Sequence, residues 1–145
     1  MSANSFVDTN ILVYAYDRSA GEKHDLAKTL IETLWNDNTG IISTQVLQEF
    51  YVNVRRKVQS PLSATEARKL IEDYLSWKVV VNDGAALLEA IEIEQRYQLS
   101  FWDALIVQAA NTGSAEVLYS EDLNDGQRYG EVRVENPFLA AGVEL

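Results

Sequence analysis

The sequence of 145 residues predicts a three-layer α/β fold, with helices on both faces of a central, mainly parallel, five-stranded sheet. Short β-rich runs alternate with longer stretches of helical periodicity, an alternation typical of parallel sheets covered on both faces. The composition agrees, because 47% hydrophobic residues with only 7 Gly and 2 Pro exclude a disordered or fibrous chain. A chain of this length buries a substantial core, so we expect a single domain over residues 1–145.

The predicted elements follow one another in a regular order. The strands are short apolar runs at 5–7, 41–43, 79–81, 117–119 and 132–134. Apolar side chains recur at helical spacing from 26 to 35, from 46 to 54 and from 87 to 91. Ser63–Glu66 has the form of a capping box, and Asp83 and Ser100 are suitable N-caps, so each should begin a helix.

Charge and composition exclude several classes of function. The chain carries 12 Lys and Arg against 22 Asp and Glu, a net charge of −10, which argues against a broad basic face for a polyphosphate. It has no Cys and a single His, which excludes disulfides, a thiol nucleophile and Cys- or His-rich metal sites. We find no signal peptide and no membrane-length apolar run, and therefore expect a cytoplasmic protein with no membrane partner.

Four acidic residues occupy positions that are unusual for solvated surface. Asp8 and Asp122 each come just after a short buried strand, and Asp103 lies along the buried stripe of its helix. Glu49 projects beside the apolar stripe of another helix. Each also has a simpler interpretation, as an N-cap, a turn residue or an exposed helical acid. Glu121, by contrast, is expected on the surface.

If these four side chains converge, their repulsion in a partly dry cleft needs a counter-charge. A divalent cation supplies it, and carboxylate oxygens suit Mg²⁺ or Mn²⁺ better than Zn²⁺. Divalent ions held in this way commonly activate water for phosphodiester cleavage. The spacing therefore supports the hypothesis of a metal-dependent phosphodiesterase with Asp8, Glu49, Asp103 and Asp122 as catalytic and metal-binding residues.

The same acids lie within motifs that resemble those of PIN-domain nucleases, and most closely the VapC-type toxins of bacterial toxin–antitoxin pairs. The similarity extends from about residue 5 to 138, with all elements in order. The motifs are Val7-Asp8-Thr9-Asn10, Gln48-Glu49-Phe50, Phe101-Trp102-Asp103-Ala104-Leu105-Ile106 and Ser120-Glu121-Asp122-Leu123-Asn124, followed by Val132-Arg133-Val134-Glu135-Asn136-Pro137-Phe138.

The resemblance implies a PIN fold with strand order 3-2-1-4-5, in which the first and fourth strands are neighbours. It also implies a metal-dependent endoribonuclease, using Mg²⁺ or Mn²⁺, that forms a homodimer and is inhibited by a cognate VapB-like antitoxin. Asp8, Glu49, Asp103 and Asp122 would be its acids, Thr9 and Asn10 would orient Asp8, and Ser120 would be an accessory polar group. Asp125 is either a further ligand or only a turn residue.

RNA as a substrate also requires cations and a surface for its bases. Arg55, Arg56 and Lys57 are candidates for backbone contacts, although charges at a helix C-terminus also have a purely structural use. Trp35, Trp77 and Trp102 are expected in the core or at an interface rather than as stacking platforms.

Three alternatives to a toxin stay open from the sequence. One is a PIN nuclease of RNA processing, and another is a catalytically silent PIN-like binding module, against which the four intact acids argue. The third is a receiver-type phosphoacceptor domain, which lacks support because the fifth strand is not followed by the expected Lys.

Overall fold

The computed structural model describes residues 2–140 and 142, and this part of the chain contains six strands, seven α-helices and a short 3₁₀ helix at Arg18–Ala20. The strands are β1 (Ser5–Val7), β2 (Gly40–Ser43), β3 (Lys78–Val80), β4 (Val117–Tyr119), β5 (Arg128–Tyr129) and β6 (Val132–Glu135). The helices are α1 (Thr9–Tyr14), α2 (Glu22–Asp37), α3 (Thr44–Arg56), α4 (Ala64–Tyr74), α5 (Gly84–Tyr97), α6 (Phe101–Thr112) and α7 (Pro137–Ala140). The prediction of one domain over residues 1–145 stays a prediction, since the last residues lie largely outside the described part.

The strands form one sheet in the order β3-β2-β1-β4-β6-β5. All neighbouring pairs are parallel except β5 and β6, which are antiparallel at the edge. The predicted α/β class and the order of the five predicted strands are thus confirmed, while the predicted number of strands was one too low. The additional strand, β5, has only two residues, too few to show an alternating pattern in the sequence.

The core lies between the sheet and the helices that flank it. Phe6, Ile42, Leu118 and Val134, each from a different strand, are completely buried, which explains why these strands read as continuous apolar runs. On one side, rings from α2, α3, α4 and the α4–β3 turn meet edge to face. Trp77 belongs to this group and covers Gly40, where a Cβ atom would lie 2.5 Å from the indole.

Two details of the helical and strand pattern differ from expectation. Strand β3 ends at Val80, one residue earlier than predicted, and Val81 is exposed. Leu87, Leu88 and Ile91 are also exposed, because α5 packs on the rest of the protein through Ala86 and Ala90 instead. The surface formed by Leu87, Leu88 and Ile91 is called the α5 apolar face below.

The N-caps at Ser63, Asp83 and Ser100 are confirmed, and Ser63 forms the full capping box with Glu66. Among the described residues, no helix combines the length and the apolar character needed to cross a membrane.

Candidate active site

Asp8 lies at the carboxyl end of β1, in the middle of the sheet. Its backbone N–H donates to the carbonyl of Tyr119 (3.0 Å), so β1 and β4 run side by side up to this point. The side chain caps α1 by accepting from the N–H of Thr9 (2.8 Å), and its other oxygen accepts from the Ser120 hydroxyl (2.8 Å). Only 7% of Asp8 is exposed. The expected N-cap role and a position in a buried acidic site are therefore combined in one residue.

Burial raises the pKa of Asp8 to about 7, and the negative charges of Asp122 and Asp103 add to this rise. The hydrogen bonds from Ser120 and Thr9 act in the opposite direction, since they stabilise the carboxylate. A carboxyl group with such a pKa is costly to ionise without a counter-charge.

Asp122 follows β4, and the same Ser120 hydroxyl positions it by accepting from its backbone N–H (3.2 Å). The side-chain amide of Asn10 donates to the Asp122 carboxylate (3.2 Å). Burial raises the pKa of Asp122, with contributions from the charges of Glu121 and Asp103, while Lys23 lowers it. Asp8, Asp103 and Asp122 therefore share one electrostatic environment.

Glu49 and Asp103 reach the same place from two helices. Glu49 lies on α3, where its carboxylate accepts from the Thr9 hydroxyl (2.7 Å). Asp103 lies in the first turn of α6, which begins where its N–H donates to the Ser100 hydroxyl (3.1 Å). A pocket of about 120 Å³ is lined by all four acids. The structure thus brings together the four carboxylates that the sequence singled out, and we call this space the acidic pocket.

The supporting residues are placed as predicted only in part. Ser120 contacts Asp8, but the side chains of Thr9 and Asn10 hold Glu49 and Asp122 rather than Asp8. Thr9 still contacts Asp8, but through its backbone N–H rather than its side chain.

Asp125 does not line the acidic pocket. Its carboxylate instead accepts from the N–H of Asn136 (2.8 Å), so of the two interpretations the turn residue fits the structure.

None of the three predicted backbone-binding cations lines the acidic pocket. Arg55 donates to the Tyr51 hydroxyl (3.1 Å) and stacks on its ring, whereas Arg56 and Lys57 are exposed at the end of α3.

Several residues of the site were not predicted from the sequence. Gln45, Asn53 and Trp102 line the acidic pocket together with the acids. Two of them could have been noticed, because Asn53 lies one turn after Glu49 and Trp102 directly precedes Asp103. Trp102 was expected in the core or at an interface, but 64% of it is exposed, whereas Trp77 is buried. Gln45 carries no such signal, because a Gln early in a helix is ordinary.

Glu121 is another correction, since it was expected on the surface. Its side chain is only 12% exposed, pairs with Lys23 (2.9 Å) and accepts from the Tyr14 hydroxyl. Burial, followed by the bond to Glu121, raises the pKa of Tyr14.

Comparison with known proteins identifies the family. The sequence model of the PIN domain matches residues 5–129, which is most of the chain. The chain belongs to the PIN domain family. This confirms the predicted resemblance and removes the receiver-type alternative. The search among curated proteins found no significant match to this chain.

Solved structures share the fold over nearly the whole chain. They include a toxin–antitoxin complex from Klebsiella pneumoniae, at 19% identity, 92% of this chain and 97% of that chain, with a TM-score of 0.67. VapC20 from Mycobacterium tuberculosis, a toxin that cleaves the sarcin–ricin loop, matches at 21% identity over 97% of this chain and 96% of its own, with a TM-score of 0.62. VapBC2 from Rickettsia felis, bound to a promoter DNA fragment, matches at 20% identity over 91% and 97%, with a TM-score of 0.62. At these identities the likeness shows the PIN fold.

PIN nucleases generally use divalent metal ions, and the donor chemistry of the acidic pocket fits such an ion. Every charged side chain that lines the pocket is a carboxylate, the ligand type preferred by Mg²⁺ and Mn²⁺. Within residues 2–140 and 142, no three acidic side chains are arranged as a ready-made metal cage. Mg²⁺ usually binds through one or two protein carboxylates and keeps several waters, so a more open set of acids suits it.

Proposed function

We propose that this PIN domain is a metal-dependent endoribonuclease that acts as the toxin of a VapBC-like toxin–antitoxin pair. The observation that carries the proposal is the convergence of four carboxylates on one pocket, with Asp8 so desolvated that its ionised form needs a cation. The toxins among the solved structures with this fold support the cellular role.

Asp8, Glu49, Asp103 and Asp122 are the residues proposed to hold Mg²⁺ or Mn²⁺. Such an ion, when bound, lowers the pKa of a water and offsets charge on the scissile phosphate. The chain keeps its carboxylates in place through three neutral donors, since Ser120 holds Asp8, Thr9 holds Glu49 and Asn10 holds Asp122. One carboxylate of the pocket accepts the proton of the attacking water. Water attacks phosphorus and the 3′-oxygen leaves as the P–O3′ bond breaks, so the products carry a 5′-phosphate and a 3′-hydroxyl and no 2′,3′-cyclic phosphate forms.

The first experiment compares the protein with Asp8→Asn and with Asp25→Asn on labelled RNA. Asp25 is an exposed acid on α2 and serves as a matched control. We expect cleavage by the parent and Asp25→Asn in Mg²⁺ or Mn²⁺, none in EDTA, and a loss of at least 100-fold in Asp8→Asn. Equal cleavage by Asp8→Asn, or products ending in a 2′,3′-cyclic phosphate, would contradict the proposal.

We propose that the antitoxin occupies the groove between α2 and α4. This groove measures about 710 Å³ and has an apolar floor that includes Ile31, Trp35 and Leu70. Arg18, Lys28 and Lys69 stand along it with Glu32 and Glu66, so it can accept an amphipathic peptide segment. The test is co-expression with the proposed VapB-like antitoxin. This should suppress toxicity of the parent but not of Leu70→Glu, whose own toxicity shows that it folds.

A homodimer is part of the same proposal. The α5 apolar face leaves three large aliphatic side chains in contact with water, and association of two copies would cover them. Light scattering should give a dimer for the parent and a monomer for Leu88→Asp; a monomeric parent would refute this part.

A further inference from the structure

We propose that Trp102 and Gln45 form a binding subsite for one unpaired base of the RNA, directly beside the acidic pocket. The inference rests on the proposed ribonuclease function and adds how the enzyme engages its substrate. Both residues line the pocket with the four acids, yet neither carries the charge that the chemistry there requires.

Trp102 presents an aromatic surface that the fold does not use. The helix residues 104–110 that follow it are all buried, whereas Trp102 is 64% exposed. Its ring meets Phe101 edge to face, with the centroids 5.4 Å apart. Because Phe101 touches Trp102 only edge to face and is itself partly exposed, most of the indole faces water at the rim of the acidic pocket.

The size of the pocket determines what can lie inside it. A volume of about 120 Å³ corresponds to roughly four water molecules, enough for a phosphate oxygen and an ion with its waters. A nucleotide whose phosphate enters this space must therefore leave its base outside, against the rim. Trp102 is the aromatic side chain that lines the pocket there, and tryptophan is well suited to stack on any base.

Gln45 provides a hydrogen-bonding group that is unused within the described residues. The side chain is only 7% exposed, and its amide nitrogen donates to the backbone carbonyl of Trp102 (3.4 Å). Its carbonyl oxygen is buried and, among the described residues, has no hydrogen-bond donor. Buried acceptors are nearly always paired with protein or ordered water, so this oxygen has the capacity to accept a further hydrogen bond. We assign it an N–H of the stacked base.

The geometry favours single-stranded RNA over a duplex. A base can stack on Trp102 only after it has left its neighbours, as in a loop, a bulge or a free end. With a net charge of −10, the protein gains little affinity from the phosphate backbone, so the stacked base contributes a larger share of recognition.

The deciding experiment couples a change in the protein to a change in the RNA. The kcat/KM of the parent, Trp102→Phe and Trp102→Ala is measured on two single-stranded RNA substrates. One substrate is intact, and the other has an abasic nucleotide next to the cleaved bond. We expect the abasic change to lower kcat/KM about 10-fold for the parent and to have almost no effect on Trp102→Ala, because the stacking partner is already gone. Trp102→Phe should lie between them.

Leu75→Ala changes an exposed apolar residue at the end of α4, away from the acidic pocket and the α5 apolar face; it is the control and should respond to the abasic change like the parent. If Trp102→Ala loses activity equally on both substrates, the residue is structural and the proposal is wrong. Light scattering tests the other occupant of this surface: if Trp102→Ala becomes monomeric while the abasic effect persists, Trp102 belongs to a dimer interface instead.

Gln45 is tested by Gln45→Met, which keeps the length of the side chain and removes both the acceptor and the amide donor to the Trp102 carbonyl. It should cleave the intact substrate several-fold more slowly than the parent and the abasic substrate at the parental rate. A loss on both substrates would overturn the assignment of Gln45.

Binding is measured independently of cleavage by quenching of tryptophan fluorescence with a single-stranded oligonucleotide. Quenching in the parent but not in Trp102→Phe supports the subsite even if no RNA is cleaved, in which case only the proposed function fails. Cleavage by the parent without Trp102-dependent quenching or abasic coupling refutes the subsite and leaves the function standing.

Discussion

Asp8 shows how one side chain takes part in both folding and chemistry. It caps α1, accepts the Ser120 hydroxyl and lines the acidic pocket, all while almost fully buried. In the metal-free protein its pKa is raised from 3.8 to about 7, so folding favours the protonated form. The contribution of Asp8 to stability is therefore present at low pH and is lost as pH rises towards 7.

This behaviour makes a prediction about metal-free protein in EDTA. Between pH 4 and pH 7 the parent should lose stability on the order of a few kcal/mol through this group. Asp8→Asn keeps a capping oxygen but cannot ionise, so at pH 8 it should melt several degrees higher than the parent. At pH 4 the difference should vanish. Thermal denaturation against pH measures it, with Asp25→Asn as the control, and a lower melting temperature of Asp8→Asn at pH 8 would contradict it.

At the scale of elements, an ion pair connects α2 to the turn that carries Asp122. Lys23 and Glu121 are 2.9 Å apart, and both side chains are largely buried. The Tyr14 hydroxyl at the end of α1 donates to the same carboxylate, and the Lys23 ammonium also lies over the rings of Tyr14 and Phe138. Three helices therefore hold the residue next to Asp122 in place.

Lys23→Met should lower the free energy of unfolding by about 2 kcal/mol, because it leaves Glu121 buried without its partner. Breaking a fully buried pair in this way lowers it by about 3–5 kcal/mol. Adding Glu121→Gln removes the unpaired buried carboxylate, so the double variant should be more stable than Lys23→Met alone. Lys69→Met is the control, since its pair with Asp73 is exposed and screened by solvent, so that its loss should have little effect on stability. Urea denaturation gives the free energy of unfolding of the parent and the three variants. A loss for Lys23→Met no larger than that for Lys69→Met would refute the structural role of the Lys23–Glu121 pair.

The same elements show what sequence reasoning can and cannot reach. The resemblance to PIN domains implies that the first and fourth strands are neighbours, and the carboxyl ends of neighbouring parallel strands share one edge of a sheet, so Asp8 and Asp122 are expected to meet. Capping residues such as Ser63 act within one turn, so their roles are local and visible in the sequence. The partners of Thr9 and Asn10 are 40 and 112 residues away, and the choice among several nearby carboxylates depends on side-chain geometry. Exposure of Trp102 likewise depends on which neighbours reach it in three dimensions.

For the whole molecule, the net charge of −10 conceals an uneven distribution. Four of the 22 acids line one pocket, where a bound divalent ion would offset their charge. The cations near it are mostly engaged, since Lys23 pairs with Glu121 and Arg55 stacks on Tyr51. Arg56 is exposed and lies seven residues after Glu49, on the same side of α3 and roughly 10 Å further along the helix. An RNA backbone that leaves the pocket along α3 would meet Arg56.

We therefore expect RNA binding to be weak and only slightly dependent on salt, with Arg56 as one of its few phosphate contacts. In an Asp8→Asn background that prevents cleavage, Arg56→Gln should reduce affinity several-fold at low salt and lower the slope of log K against log[salt] by about 1. Lys57→Gln is the matched control, because Lys57 is exposed but turned by about 100° around α3. Fluorescence anisotropy over a salt series measures both. Equal effects of the two substitutions would mean that net charge, rather than a contact at Arg56, governs binding.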